Sequence, residues 1–380
     1  MATLRRGFGA VAIVLLACGA NSMDAHSTSD ERTAVLEMRS EATEGGMGDI
    51  VGLALQIDSS TDAGSTHVDT TVVVGSAADA QVVRVGSNGA LLSRIGRKGA
   101  ALGEYVRLQW VGTCDGAQIV VHDIALSRLS TLDAKLNAIS TKTIPKVFDS
   151  RDVAGCLPDG RILILNDSSK DKTPGVQRKP LALVAFDAKN GHADTLSRFR
   201  GAEFNYVRHL GTFIAVPLGA KTLVSLASNR LLVAESNLDS LWRFENGKWS
   251  SVGLEGIPTA KPPLAVDDQR ARKALAWAPR TPQDREFAPG LLAETATAVM
   301  APRIDALIGA DNGNAWIGLK PSANGQRDWI EYNAQGKRVA STRFVWTFDP
   351  RLIHGANWWG VERDSIGVET VVRYRVSSKN

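Results

Sequence analysis

Basic residues recur at one position of a repeated sequence pattern, an arrangement suited to binding an anion. Arg107, Arg151, Lys221 and Arg303 each stand eight residues before the first turn residue of their repeat, which is Asp115, Asp159, Asn229 or Asp311. Arg351 stands nearer to its turn, so its equivalence is looser. If the repeats surround an axis, these five cations converge at one mouth of a central channel. Their field would select phosphate, a uronate or an acidic peptide.

The same cations also have a structural interpretation. The predicted second strands of three repeats end in carboxylates, namely Asp123, Asp167 and Glu235. These ends open on the same face as the cations, so each cation could pair with a carboxylate of a neighbouring repeat and hold the two repeats together. Ligand binding and structural pairing both stay open at the level of sequence.

Other patterns for chemistry are weaker. The candidate metal ligands are far apart and have no second ligand at a suitable spacing; they are His67, His122, His209 and His354. We therefore expect no metal and no other cofactor. A metal-dependent lyase or hydrolase of the lactonase type, with its site in the central channel, is the alternative to a binding module. Trp110, Trp358 and Trp359 lie on or near innermost strands and keep a glycan among the candidate ligands.

The repeat that carries the cations predicts an all-β fold, a six-bladed β-propeller. Between residues 70 and 376 the chain repeats, six times, short apolar strands separated by polar turns such as Ser87-Asn88-Gly89 and Glu245-Asn246-Gly247. A unit of about 40–50 residues made of strands cannot bury its own face, so the copies must stack around an axis. We expect the propeller over residues 49–380, with residues 51–57 as the outer strand of the last blade.

One segment interrupts the repeat. Residues 256–302 separate blades four and five, and residues 264–278 within them are rich in Ala, Arg, Lys and Leu. Asp267 and Asp268 near the start and Pro279 beyond the end are helix boundary signals. We expect an inserted helix, which would serve either as a lid over one mouth or as a brace that packs Leu275 and Trp277 on the outside.

The N-terminus predicts export. Arg5 and Arg6 precede a short apolar run over residues 8–16, which suits a signal peptide and is too short to span a bilayer. The following Leu15-Leu16-Ala17-Cys18 resembles the lipobox of bacterial lipoproteins. This resemblance implies a signal peptide over residues 1–18, a lipid on Cys18 and attachment to the membrane in the cell envelope, at the outer membrane or the periplasmic face in a Gram-negative host. Residues 19–48 are polar and are expected to be a flexible tether.

Two cysteines remain if Cys18 carries lipid. Cys114 and Cys156 both end the first strand of their repeat, in a compartment where disulfides persist. Equivalent positions of neighbouring blades can come close enough for a bridge, which needs Cα atoms within about 7 Å. The alternatives are a disulfide and two buried small apolar residues.

Part of the sequence between the first two repeats carries a family resemblance. The stretch Gly96-Arg97-Lys98-Gly99-Ala100-Ala101-Leu102-Gly103-Glu104-Tyr105 resembles the glycine-rich signature between blades of six-bladed propeller lipoproteins related to NHL repeats. The residues Val120-Val121-His122-Asp123 and the closing segment 369–376 are similar to the same family. The resemblance implies a fold and a location in the envelope, and it implies no reaction.

Composition sets the class of partner. The chain has 380 residues, a net charge of +4 and 22% charged residues, which is ordinary for a globular protein. So small a charge, without a basic patch interleaved with aromatic residues, argues against nucleic acid. The sequence therefore predicts an exported binding or scaffolding module that takes a protein, a glycan or a small anion.

Overall fold

The computed structural model describes most of the chain from Asp30 onward. The described residues are 30–40, 47–62, 65–114, 118–145, 148, 152–167, 172–173, 175–208, 211–227, 230–269 and 296–378. Their regular structure is almost entirely strand, which confirms the predicted all-β class. The predicted signal peptide and Cys18 lie outside the described residues.

Three of the sheets are four-stranded and follow chain order. The first contains β2 (Ile50–Asp62), β3 (Ser65–Ser76), β4 (Gln81–Val85) and β5 (Leu91–Ile95). The second contains β6 (Leu108–Cys114), β7 (Gln118–Asp123), β8 (Arg128–Leu132) and β9 (Ala138–Thr143). The fourth contains β15 (Thr222–Ala227), β16 (Arg230–Glu235), β17 (Ser240–Glu245) and β18 (Lys248–Gly253).

The other sheets have additional strands. The third sheet contains β10 (Asp152–Cys156), β11 (Ile162–Asp167), β12 (Gly175–Phe186), β13 (Ala193–Val207) and a short fifth strand, β14 (Thr212–Ala215). The fifth contains β19 (Ile304–Gly309), β20 (Ala315–Leu319), β21 (Gln326–Tyr332) and β22 (Arg338–Val345). The sixth contains β23 (Phe348–His354), β24 (Asn357–Arg363), β25 (Glu369–Ser378) and β1 (Asp30–Arg39), and it joins the fifth sheet through β1.

The first strands of these sheets form a closed cycle. Each contacts the first strands of the two neighbouring sheets, in the order β2, β6, β10, β15, β19, β23 and back to β2. Within every sheet, neighbouring strands are antiparallel. The start of the first strand and the loop between the second and third strands therefore lie at the same end of a sheet.

The prediction of a flexible tether is wrong for residues 30–39, which form a strand that closes the cycle. Residues 30–39, expected to be flexible, form β1, which pairs antiparallel with β25 and, at Asp30 and Glu31, parallel with β22. Without β1, the outer edge of β25 would expose unpaired backbone N–H and C=O groups. The local sequence has no sustained apolar period, and its partner strand lies more than 300 residues away, so composition gave no sign of the strand.

The predicted position of residues 51–57 is also wrong. These residues belong to β2, the first strand of the first sheet, where they pair with β3. The outer position in the last sheet is already taken by β1. Buried residues of both termini meet at this seam, where Met38, Ile50, Trp359 and Val361 share one apolar cluster.

A covalent link joins two neighbouring first strands. Cys114 at the end of β6 and Cys156 at the end of β10 form a disulfide, with Cα atoms 5.5 Å apart. Both cysteines pack in the apolar cluster shared by the second and third sheets. The bridge therefore ties together two sheets that also share a core.

The insertion is described only in part. Residues 265–269 form a short helical turn, and residues 270–295 lie outside the described residues, together with Leu275 and Trp277. The Asp267 carboxylate accepts a hydrogen bond from the Leu264 N–H (3.2 Å) and pairs with Lys320 Nζ (2.6 Å). The start of the turn is thus fixed against the end of β20.

Substituting Arg32 tests the closure of the cycle. Arg32 on β1 pairs with Glu331 (3.1 Å), whose side chain is 2% exposed, and lies over the Trp316 ring. Arg32→Met leaves a buried carboxylate with only the amide donors of Asn312 and Asn314. We expect a loss of about 2–3 kcal/mol in the free energy of unfolding, measured by denaturant titration.

Arg375→Met is the matched control. Arg375 on β25 pairs with Glu37 of β1 at 3.7 Å, and its side chain is 64% exposed. Its loss should stay within about 0.5 kcal/mol. Equal effects of the two substitutions would contradict a specific role of Arg32 in closure.

Candidate functional site

Three of the predicted cations occupy equivalent backbone positions. The carbonyls of Arg107, Lys221 and Arg303 each accept a hydrogen bond from the residue that follows the second strand of their sheet, at 3.1, 2.9 and 3.3 Å. In the first and sixth sheets the same position is occupied by Asp49 and Thr347. The position is thus shared around the cycle, but its charge is not.

The other two predicted site residues do not share this position. Arg351 lies four residues beyond Thr347, inside β23. Arg151 lies outside the described residues. Arg107 is exposed, and Arg303 is half-buried with its Nη2 3.4 Å from the Asn237 carbonyl.

A cavity of about 790 Å³ brings Lys221 and Arg351 together. It lies where the starts of β15, β19 and β23 meet the loop between β24 and β25. Its charged lining consists of Lys221, Arg327, Arg351, Arg363, Asp305, Asp349, Asp364 and Glu369. Val266 and Gln269 of the helical turn also line it, so the insertion borders the site.

One end of the cavity is basic. Asp305 on β19 accepts from two cations, Lys221 at 3.3 Å and Arg327 at 2.5 Å. Burial acts to raise the pKa of the Asp305 carboxyl, but Lys221 and Arg327 overcome it and hold this pKa below its usual value. Two cations share one carboxylate, so this end carries an excess of one positive charge. We name Lys221, Arg327 and Asp305 the basic end.

The other end is acidic. Arg351 pairs with Asp349 at 2.8 Å, and Arg363 pairs with Glu369. Asp364 also lines this end, where it accepts the N–H groups of Ile366 and Val368. Three carboxylates of the lining thus face two cations. We name Asp349, Arg351, Arg363, Asp364 and Glu369 the acidic end.

The acidic end touches the seam of the cycle. The buried Glu369 carboxylate accepts the backbone N–H of Ile50 at 2.5 Å, which connects the sixth sheet to the first. The pKa of the neighbouring Asp49 is raised, first by burial and then by the charge of Glu369, although Arg363 and Arg351 act against the shift. Burial and the charge of Glu369 therefore outweigh the two arginines at Asp49.

The predicted pairing of cations with second-strand carboxylates has a different form. Asp123 accepts the backbone N–H groups of Val106 (2.6 Å) and Arg107 (3.3 Å). Glu235 pairs with Arg178 of the third sheet at 3.1 Å. Of the predicted cations, Lys221 forms a pair between sheets, with Asp305 as its partner. Pairing and lining of a cavity therefore coexist at Lys221.

The structure describes the side chains of two of the predicted histidines, His122 and His354, while His209 lies outside the described residues. Within the described ranges, no group of three His, Cys, Asp or Glu side chains is arranged to hold a metal ion. His122 is buried with Nδ1 2.8 Å from Gln109 Oε1, and His354 Nδ1 lies 2.9 Å from Asp311. Trp358 and Trp359 are at most 1% exposed and belong to the core, so neither faces a channel.

Sequence reasoning missed Arg327 and Arg363, two of the four described cations that line the cavity. Arg327 begins a third strand and Arg363 ends a second strand, whereas the alignment compared only the starts of first strands. A signal was available, because antiparallel pairing puts these positions at the same end of a sheet. The acidic residues Asp305 and Asp349 follow the compared position by two residues and could have been included.

The chain resembles known proteins in its structure. No family model and no curated protein matches the chain. A protein from Bacteroides fragilis NCTC 9343 that is thought to be exported superposes with a TM-score of 0.50 at 12% identity, covering 91% of this chain and 96% of that one. A DUF4221 family member from Bacteroides vulgatus ATCC 8482 gives 0.49 at 11% identity, covering 92% and 100%.

An enzyme is also among the similar structures. A catalytically inactive virginiamycin B lyase from Staphylococcus aureus with quinupristin superposes with a TM-score of 0.41 at 10% identity, covering 90% of this chain and 99% of that one. At such identities the likeness concerns the fold alone. The cyclic contacts of the first strands define an all-β, propeller-like fold in the described part of the chain.

Asp49→Asn tests whether the partly buried Asp49 carboxylate beside Glu369 costs stability. Asp49 has φ of 55°, a conformation that Asn tolerates well, so the substitution removes charge without backbone strain. A folded-state pKa above the unfolded one means that the ionised carboxylate costs stability. We expect Asp49→Asn to raise the melting temperature at pH 7.

The pH dependence of the gain in melting temperature shows whether the charge of Asp49 causes it. The gain should be full above the raised folded-state pKa, shrink as the pH falls through it, and vanish below the unfolded value near 3.8, where Asp49 is protonated in both states. Thermal unfolding of parent and variant between pH 3 and pH 8 measures it. A gain independent of pH would show that charge is not the cause.

Proposed function

We propose that this chain is an exported, lipid-anchored, six-bladed β-propeller that acts as a binding module for a negatively charged ligand. The observation that carries the proposal is the cavity, which is lined by Lys221, Arg327 and Arg351 and where Lys221 and Arg327 meet on Asp305. Its volume of about 790 Å³ falls in the usual range for small-molecule sites. The cyclic contacts of six first strands support the number of blades.

The charges favour binding of an anion at the basic end. Lys221 keeps 40% of its side chain exposed while it contacts Asp305, so one of its N–H donors can reach a ligand without leaving the carboxylate. Arg327 is 13% exposed and adds a fixed positive charge behind it. An anion that enters from the mouth would therefore meet a preformed pair of cations.

Export and anchoring rest on the N-terminus. Residues 5–18 have the charge, apolar run and cysteine of a lipoprotein signal. The structurally similar protein from Bacteroides fragilis is thought to be exported. In the described part of the chain, no helix has the length and apolar composition needed to cross a bilayer. Attachment is proposed through Cys18, because Leu15-Leu16-Ala17-Cys18 resembles a lipobox, and membrane partition unchanged by Cys18→Ala would contradict it.

Thermal shift with small anions tests the binding proposal. We expect succinate, glucuronate or phosphate at 10 mM to raise the melting temperature of the full chain, because a ligand with a Kd of about 1 mM contributes about 1.4 kcal/mol at that concentration. The double substitution Lys221→Met with Arg327→Met, which removes both cations of the basic end, should abolish the shift. Each side chain contacts the cavity, so both contributions are removed together.

Arg107→Met is the control for this experiment. Arg107 has the same charge and an equivalent backbone position to Lys221, but it does not line the cavity, so the shift should persist. A parent protein that responds to none of the three anions would contradict the proposal. A shift that survives the double substitution would place the anion elsewhere.

A further inference from the structure

The two ends of the cavity carry opposite net charges: the basic end is positive and the acidic end is negative. The basic end has two cations on one carboxylate, and the acidic end has three carboxylates with two cations. An anion alone would satisfy only the first. The lining is therefore more specific than a simple anion site.

We propose, resting on the function above, that the cavity selects a zwitterionic short peptide, with its carboxylate at the basic end and its ammonium group at the acidic end. A free peptide carries both charges on one small body. A carboxylate forms charge-assisted hydrogen bonds with Lys221 and Arg327, and an ammonium forms them with Asp349 and Asp364.

Apolar side chains also line the cavity. Val266, Ala306 and Trp346 line the same cavity, and Val266 and Trp346 are 41% and 37% exposed. These side chains offer apolar contact to a peptide whose side chains are small. A short peptide also fits within about 790 Å³ without further opening of the site.

The acidic end has reason to attract a cation. Its carboxylates are held by the fold, since Glu369 accepts the Ile50 N–H and Asp364 accepts two N–H groups of its own turn. They therefore cannot move apart to relieve their repulsion. Burial is the main cause of the raised pKa of the adjacent Asp49, and the charge of Glu369 adds to it. A ligand ammonium would relieve the repulsion between the carboxylates.

Titration calorimetry with capped peptides tests the proposal on the full chain in detergent. The probes are trialanine, N-acetyl-trialanine, which lacks the positive charge, and trialanine amide, which lacks the negative charge. We expect trialanine to bind at least about tenfold more tightly than either capped form, which corresponds to the loss of about 1.4 kcal/mol for each missing charge.

Single substitutions test which end of the cavity binds which charge of the peptide. Arg327→Met should remove the preference for trialanine over trialanine amide and leave the preference over N-acetyl-trialanine. Asp349→Asn should do the reverse. Arg343→Met is the control, because Arg343 pairs with Asp328 outside the cavity and should alter neither preference.

The outcomes separate this proposal from the one above. If N-acetyl-trialanine binds as tightly as trialanine, the acidic end plays no part and the peptide assignment is wrong, while the anion site stands. If glycerophosphoethanolamine binds more tightly than trialanine, the ligand is a phosphate zwitterion and the peptide assignment is again wrong. If neither peptides nor small anions bind, both proposals fail.

Discussion

A sheet of four strands can bury its apolar faces only by packing against other sheets. The arrangement of the described chain follows from this constraint. In the described part of the chain, the first strand of each sheet contacts those of a neighbour on either side, so stability requires that the cycle be closed. Closure depends on β1, which completes the sixth sheet and reaches β22 of the fifth. Met38 near its end is buried with Ile50 and Trp359, so one apolar cluster connects both ends of the described chain.

The same geometry concentrates charge at one end of the sheets. Antiparallel pairing places the starts of first strands beside the loops between second and third strands, so Lys221, Asp305 and Arg327 meet although they come from different strands. The seam adds Glu369, which holds the start of β2 by a hydrogen bond to Ile50. The candidate site therefore uses groups whose positions are fixed by closure, and the helical turn at 265–269 borders it from outside the cycle.

The sequence allowed prediction of features that repeat and missed those that depend on distant partners. Apolar strands and polar turns predicted the all-β class, and the shared position of Arg107, Lys221 and Arg303 followed from spacing alone. The strand at residues 30–39 was missed because its hydrogen bonds come from β25, far along the chain. The carboxylate partners of Lys221 and Arg351 were missed. The spacing of the cations along the chain does not show which acidic residues the packing of adjacent sheets brings close to them.

Native-state hydrogen exchange of the full chain tests most directly whether β1 closes the cycle. The account predicts that amides of β1 paired with β25 are protected as strongly as those of the outer strands β9 and β18, and that β1 and β25 lose protection together as denaturant is raised. Exchange of the β1 amides at the rate of an unfolded chain, while β25 and the other sheets stay protected, would contradict it.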